Sequence, residues 1–174
     1  VLAVLRPAFG SLEVESTPSG AEVALIDSSG TRRGSGRTPL KLDRLPSGSY
    51  QLQVSKDRYH PQSETVFIRD GEVTKESVTL RPRFGTLNVE SDPAGATVLL
   101  AGEEKGVTPL KVEVDAGRYV LELHKELYMD WSGEVEIREG ETTDVSRKLT
   151  PNFGVLDVQV TPEGAKIMVD GREM

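Results

Sequence analysis

The 174-residue chain contains no cysteine, two histidines and one tryptophan. The absence of cysteine excludes disulfide bonds and leaves the redox compartment open. No apolar run approaches the roughly twenty residues that a membrane-spanning helix needs. Basic residues are outnumbered by acidic ones, 21 to 28, for a net charge of −7. This deficit of positive charge disfavours binding to a nucleic-acid backbone, which requires a basic surface.

Motifs for catalysis and metal binding are also missing. His60 and His124 have no neighbours at ligand spacing, whereas a metal site needs three or four donors. No Gly-x-Ser-x-Gly elbow or calcium-loop spacing occurs. The glycine-rich segment GTRRGSG at 30–36 lacks the Lys-Ser/Thr of a phosphate-binding loop, so we interpret it as a flexible hairpin loop. The sequence therefore predicts no catalytic residue, no cofactor and no metal.

What the chain does have is a repeat. The segments FGSLEVESTPSGAEVAL, FGTLNVESDPAGATVLL and FGVLDVQVTPEGAKIMV begin at Phe9, Phe84 and Phe153. The spacing predicts two whole units, 9–82 and 83–151, and the truncated start of a third, 152–174. Residues 1–8 then hold the last strand of a preceding unit, at Val1–Leu5, and a linker. We expect the incomplete ends to be loose or to pair with other chains by strand addition.

Within each unit, apolar and polar residues alternate with a period of two, which is typical of half-buried β-strands. In the first unit we predict six strands, near 10–15, 21–26, 39–43, 49–56, 63–69 and 73–80, and no helix. Such patterning favours two antiparallel sheets packed on their apolar faces, with a closed barrel as the alternative. The fold class is thus all-β, with small antiparallel β-sandwiches in tandem.

The segment TPSGA at 17–21 recurs as DPAGA at 92–96 and TPEGA at 161–165. Proline favours the second position of a β-turn, and glycine follows where the chain leaves the turn. We therefore interpret the segment as the reverse turn between the first two strands. The alternative is a nest of backbone amides that binds an anion.

The order of these motifs resembles the PEGA domain family. Pro-x-Gly-Ala follows an alternating strand, then come Thr-Pro-Leu (38–40 and 108–110), Gly-x-Tyr (48–50 and 117–119) and a second tyrosine nine residues later. The glycine that usually precedes this second tyrosine is replaced by Arg58 and Leu127. The resemblance implies a small sandwich, immunoglobulin-like or transthyretin-like. It further implies tandem domains without catalytic residues, in prokaryotic envelope-associated proteins or as accessory domains of larger chains.

The copies differ in charge and in two local features. Residues 9–83 carry 11 basic and 10 acidic side chains, net +1, while residues 84–152 carry 7 and 14, net −7. The first unit alone has the basic segment Asp27–Arg37, and the second alone has LYMDW at 127–131. We predict partner contacts at the positions that differ: Arg32, Arg33, Arg37, Met129 and Trp131. Surface drift is the alternative for the charge, and packing over a sandwich edge is the alternative for Trp131.

From these observations we expect a non-enzymatic tandem array that acts as a structural spacer or interaction module on the extracytoplasmic side, in the periplasm or at the cell surface. Its partner would be a protein or a cell-envelope polysaccharide. Alternatives are a recognition module for glycans or proteins, and an accessory array on a larger enzyme or signalling protein. The joints LRPRFG and LTPNFG are short and contain proline, which predicts a semi-rigid string of domains.

Overall fold

A computed structural model describes residues 8–161 and 166–173, and all regular structure in this part of the chain is β-strand. The predicted strand at 1–5 and most of the predicted turn at 161–165 lie outside the described residues. Each repeat contains seven strands in the same order. Those of the first repeat are β1 (Phe9–Thr17), β2 (Glu22–Asp27), β3 (Arg32–Arg37), β4 (Leu40–Pro46), β5 (Gly48–Ser55), β6 (Gln62–Ile68) and β7 (Val73–Thr79).

The second repeat follows the same plan. Its strands are β8 (Phe84–Asp92), β9 (Thr97–Leu100), β10 (Glu103–Val107), β11 (Leu110–Asp115), β12 (Gly117–His124), β13 (Trp131–Ile137) and β14 (Thr142–Lys148). A short hairpin, β15 (Met168–Val169) and β16 (Arg172–Glu173), turns at Asp170 and Gly171. Residues 153–160 form no strand.

Each repeat is an open sandwich of a three-stranded and a four-stranded sheet, which confirms the predicted fold class. The sheet orders are β4-β1-β7 and β3-β2-β5-β6 in the first repeat, and β11-β8-β14 and β10-β9-β12-β13 in the second. Two pairings, β1 with β7 and β8 with β14, are parallel. The sheets do not close into a barrel, so β3, β4, β6 and β7 are edge strands in the first repeat.

Strand β3 corrects the prediction of a flexible loop at 30–36. Its sequence, RRGSGR, contains two glycines, which normally weaken a strand signal. Their reason is packing, because a Cβ on Gly34 would lie 2.5 Å from Leu42 Cδ1 and one on Gly36 would lie 2.6 Å from Leu40 Cδ1. The leucines of β4 therefore cover the inner face of β3, and only a residue without a side chain fits beneath them.

Each repeat buries an apolar core of its own. Both cores consist of the alternate residues that point between the two sheets, as the period of two predicts. In the first repeat the fully buried large side chains are Leu12, Val14, Leu25, Leu52 and Val54, and in the second they are Leu87, Val89, Val98, Leu121, Leu123 and Ile137. The two repeats are thus separate hydrophobic units joined by a short segment.

The recurrent turn is tied to the Thr-Pro-Leu motif by the buried Thr38. Its carbonyl oxygen accepts a hydrogen bond from Gly20 N at 2.9 Å, and its Oγ1 accepts one from Ala21 N at 3.0 Å. Thr108 holds Gly95 and Ala96 in the same way. The interpretation of TPSGA as a connecting turn is therefore confirmed, whereas the anion nest is wrong because these amides already have protein acceptors.

Candidate functional site

The first repeat has a shallow polar trough on the outer face of strands β2, β3 and β5. The small residues Ala24 and Ser35 form its floor, while Arg32, Arg37 and Gln53 stand at its sides, with Glu22, Val23, Gly36 and Ser55 completing the lining. Because Gly34 and Gly36 face inward, alternation along β3 directs Ser35 and Arg37 outward. The trough therefore offers guanidinium, amide and hydroxyl groups to a polar ligand.

Two of the predicted arginines line this trough, and the third has a different role. Arg37 Nη2 lies 3.2 Å from Glu22 Oε1, and both side chains are well exposed. Arg33 Nε instead contacts Asp27 Oδ2 at 2.5 Å. Asp27 Oδ1 also accepts hydrogen bonds from the backbone amides of Ser29 and Thr31. Arg33 thus holds the β2–β3 turn closed, leaving Arg32 and Arg37 as the arginines of the trough.

These contacts also set the charge state of Asp27. Hydrogen bonds from the Ser29 hydroxyl, from Arg33 and from the backbone hold the pKa of this carboxyl far below its usual range. The carboxylate is therefore ionised under all ordinary conditions. Its role is to organise the turn next to the trough rather than to exchange a proton.

The second repeat replaces the residues that shape the trough. Leu99 stands at the position of Ala24, Val107 at that of Arg37 and Glu122 at that of Gln53. A larger floor residue, a lost cation and an added carboxylate change both shape and charge. This trough is consequently a feature of the first repeat.

Trp131 and Met129 lie in the second repeat and do not join the arginines. Trp131 packs against the second core, and its ring lies over Gly133, where a Cβ would be 2.7 Å from Trp131 Cζ2. Arg147 stacks on the other side of the ring, with Cζ 4.7 Å from its centroid. The tryptophan therefore covers an edge of the sandwich, which was the structural alternative. A partner contact at Trp131 or at the exposed Met129 stays a prediction.

The joint between the repeats is a second place where polar and aromatic groups meet. Tyr59 makes a β-bridge with Pro82, and its ring contacts Phe84 edge-to-face with centroids 5.5 Å apart. The joint backbone is fixed by hydrogen bonds from His60 N to Arg81 O (2.9 Å) and from Arg83 N to Arg58 O (2.8 Å). Tyr59 also packs against the first core. Aromatic packing and backbone pairing thus restrict this joint.

Ion pairs across the joint all run from a basic group of the first repeat to an acidic group of the second. Arg58 lies 3.2 Å from Glu113 and 3.1 Å from Asp115, and its Cζ is 4.3 Å from the Phe84 centroid. His60 Nε2 lies 2.8 Å from Glu139 Oε1. The unequal charge of the repeats is therefore expressed as direct contacts at the joint. Sequence spacing could not reveal these contacts, because the partners are 55 to 79 residues apart.

The histidines have carboxylate partners rather than metal-site geometry. His124 Nδ1 lies 2.8 Å from Asp130 Oδ1, and this bond together with Glu122 raises the pKa of His124. Among the described residues, no group of three or more His, Asp or Glu side chains is placed to hold a metal ion. The same part of the chain contains no helix that is long and apolar enough to cross a membrane.

Comparison with known proteins identifies the family. The PEGA domain family matches residues 9–83 and again residues 84–152. These matches span most of the 174 residues, so the chain belongs to the PEGA domain family and contains two such domains in tandem. No curated protein sequence is a match.

Several solved structures are similar to this chain at low sequence identity. The Bacillus anthracis TIE protein is 16% identical (82% of this chain, 34% of that chain, TM-score 0.43). The shaft pilin SpaA of Lactobacillus rhamnosus GG is 8% identical (84% and 98%, TM-score 0.48), and the minor pilin GBS52 of Streptococcus agalactiae is 12% identical (87% and 99%, TM-score 0.38). The chain spans about a third of the length of the TIE protein.

Proposed function

We propose that this tandem is a non-catalytic spacer that holds other parts of an envelope-associated assembly at a set distance outside the cytoplasm. The joint carries the proposal. A spacer must resist bending, and here Arg58, His60 and Tyr59 of one domain contact the next domain directly. The recurrence of scaffold residues in both domains, while ionisable residues differ, also fits a structural role. Membership of the PEGA family supports this role and the extracytoplasmic location.

The stiffness of the joint is testable with Arg58→Ala combined with His60→Ala. Exposed ion pairs contribute about 0.2–1 kcal/mol each, so removing the two pairs of Arg58 and the hydrogen bond of His60 loosens the joint without unfolding either domain. In residual dipolar coupling measurements, we expect the two domains of the native chain to share one alignment tensor. The two domains of the variant should have different alignment tensors. Arg69→Ala is the matched control, because it removes an exposed ion pair to Glu72 within the first repeat.

Small-angle scattering of the native chain can contradict the spacer proposal. A spacer predicts an extended particle with two separated centres of mass. A compact particle in which the two domains fold onto each other would overturn the spacer proposal, whatever the effect of the variants. The alternative of an accessory array on a larger enzyme is compatible with the same joint and differs only in what the domains connect.

A second candidate function is recognition of a polar ligand, and the trough favours it. Its lining of Arg32, Gln53, short hydroxyl side chains and Arg37, which also pairs with Glu22, suits a hydroxyl-rich ligand that carries carboxylates, such as an acidic envelope polysaccharide. The test installs the second repeat's residues through Ala24→Leu, Arg37→Val and Gln53→Glu. Binding to isolated envelope polysaccharide should be lost, whereas Lys75→Asp on the other sheet, which also installs a second-repeat residue, should leave it unchanged. Equal binding by both variants would remove the trough from consideration.

A further inference from the structure

The end of the second repeat reproduces the joint at the end of the first. Tyr128 makes a β-bridge with Pro151, and its ring contacts Phe153 edge-to-face with centroids 6.0 Å apart. This aromatic contact has an interplanar angle of 82°, against 90° at the first joint. The tyrosine, proline and phenylalanine of the first joint thus have direct counterparts.

The backbone of this second joint is also held in the same way. Met129 N donates to Thr150 O at 2.8 Å, and Asn152 N donates to Leu127 O at 2.7 Å. Leu127 has a φ of 66°, close to the 62° of Arg58. Since backbone and turn geometry agree, the side chains of Leu127 and Met129 are placed like those of Arg58 and His60 at the first joint.

The side chains at these two positions differ in polarity between the repeats. Where the first repeat presents a guanidinium and an imidazole, the second presents two apolar side chains, Leu127 (62% exposed) and Met129 (56% exposed). We refer to Leu127 and Met129 as the apolar end face. Two adjacent exposed apolar residues on a surface already shaped for domain contact indicate an interface.

The acidic surface that meets the first repeat would be a poor partner for this end face. At the first joint Glu113 and Asp115 pair with the guanidinium of Arg58 and Glu139 contacts the imidazole of His60, whereas Leu127 and Met129 have no polar group to offer. Docking them against carboxylates would remove water from charged groups without any compensating contact. An uncharged apolar surface would instead gain from burial.

We propose that the apolar end face docks a PEGA-type β-sandwich domain that is joined through Phe153 and has apolar side chains where the second repeat has Glu113, Asp115 and Glu139. The proposal rests on the spacer function, since it assigns the chemistry of one joint in the array. Its consequence is that the joints are selective. The first repeat is followed by an acidic domain and the second by a domain with an apolar face. Exchanging these two following domains would weaken the contacts at both joints.

The test uses four three-domain chimeras in which a copy of residues 84–152 replaces residues 153–174. The copy has either its native acidic residues or leucine at the positions of Glu113, Asp115 and Glu139. Each copy is joined to the native end face or to the double variant Leu127→Arg, Met129→His. Because both substituted residues are exposed, the core of the second repeat stays the same in all four chains.

With the leucine-bearing copy, we expect the native end face to raise the melting temperature of the terminal domains by about 4 °C over the Arg/His variant. With the acidic copy, we expect the Arg/His variant to have the higher melting temperature and the native end face the lower one. The reversed preference should vanish in about 1 M NaCl, where the screening length falls to about 3 Å, while the apolar preference should persist.

The proposal would be overturned if the same end face gave the higher melting temperature with both copies. It would also be overturned if all four chains melted at the same temperature. Adding Arg58→Ala to each chimera reports separately on the first joint. If that change alters domain alignment while the four chains melt alike, the spacer function stands and the selective second joint fails. If the native chain is compact in solution scattering, with its two domains folded onto each other, the spacer function itself fails.

Discussion

The two repeats close the same flank of the sandwich with opposite chemistry. The flank lies between strands β6 and β7 in the first repeat and between β13 and β14 in the second. In the second repeat, Trp131 lies over Gly133 and packs against the core that contains Val145, and Arg147 stacks on the ring. This flank is sealed by an aromatic ring with a cation over it.

The first repeat has polar residues at three of these positions and the buried Val78 in place of Arg147. Gln62 replaces Trp131, Glu64 replaces Gly133 and Glu76 replaces Val145. Partial burial of Glu76, together with the charge of Glu64, raises the pKa of the Glu76 carboxyl. The first repeat therefore places two carboxylates where the second places apolar surface.

This difference shows how much freedom the scaffold leaves. Core residues, the Thr38 and Thr108 contacts and one glycine beneath a leucine, Gly36 or Gly106, are kept because each meets a steric or hydrogen-bonding demand. Gly34 is not kept, since β10 has a single glycine. The flanks, the trough and the joints accept residues of opposite polarity or charge in the two repeats. The chemistry that distinguishes the domains is consequently at their margins.

The largest effect is expected from Trp131→Ala. It removes the ring that seals the second flank and should destabilise the second repeat by about 2–3 kcal/mol, below the cost for a fully buried tryptophan because the ring is partly exposed. The counterpart Gln62→Ala should change the first repeat by less than about 0.5 kcal/mol. Urea denaturation followed through amide signals of each repeat measures both. Similar costs at the two positions would mean that the flanks are equivalent after all.

A smaller effect of the opposite sign is expected from Glu76→Val, which gives the first repeat the residue of the second. It removes a partly desolvated carboxylate and buries an apolar side chain, so the first repeat should gain about 1 kcal/mol at neutral pH. Ser77→Val, one residue along on the outward face, controls for the β-propensity of valine. A gain from Ser77→Val as large as that from Glu76→Val would contradict the role assigned to the flank.

The smallest effect concerns pH. Because the folded-state pKa of Glu76 is raised above its ordinary value of 4.5, the folded first repeat binds this proton more tightly than the unfolded chain does. Its stabilising contribution is complete below pH 4.5 and is lost as pH rises through the raised pKa. Relative to Glu76→Gln, the native first repeat should therefore gain stability as pH falls from neutral towards 4.5. The second repeat, with Val145 at this position, should show no such difference.

The contribution of Asp27 to stability has the opposite pH dependence and does not disturb this measurement. Its pKa is lowered, so its contribution is present above the ordinary value of 3.8 and is lost only as pH falls below it. Thermal denaturation above pH 4 thus isolates Glu76. A flat difference between the native chain and Glu76→Gln would show that the carboxyl is as well solvated in the fold as in the unfolded chain.

The repeat, the all-β class and most of the strands could be predicted from the sequence, because period-two alternation reports directly on which face of a strand is buried. Strand β3 could not. Its glycines reduce the strand signal, and the reason for them lies in Leu40 and Leu42, whose approach depends on how two sheets pack. The parallel pairing of β1 with β7 was likewise not predicted, since alternation says nothing about strand direction.

The candidate site was predictable only in part. The sequence singled out Arg32, Arg33 and Arg37 because they have no counterpart in the second repeat, but it could not separate Arg33, which binds Asp27, from the two that line the trough. The joint contacts of Arg58 and His60 were missed. One signal was available, namely that Arg58 stands where the family has glycine, and a costly substitution at a left-handed position indicates that the new side chain has a use.

The hydrogen bonds of Thr38 and Thr108 have a consequence for how such chains are recognised. Thr38 Oγ1 accepts from Ala21 N and contacts Ser16 Oγ at 2.5 Å, and Thr108 makes the same two contacts with Ala96 and Ser91. The tetrapeptide that names the family and the Thr-Pro-Leu that follows it are therefore the two halves of one buried contact, and both occur in each repeat of this chain. A search that finds a protein by these letters detects a hydrogen bond of the scaffold, and the biological role has to be sought in the residues that such a search ignores.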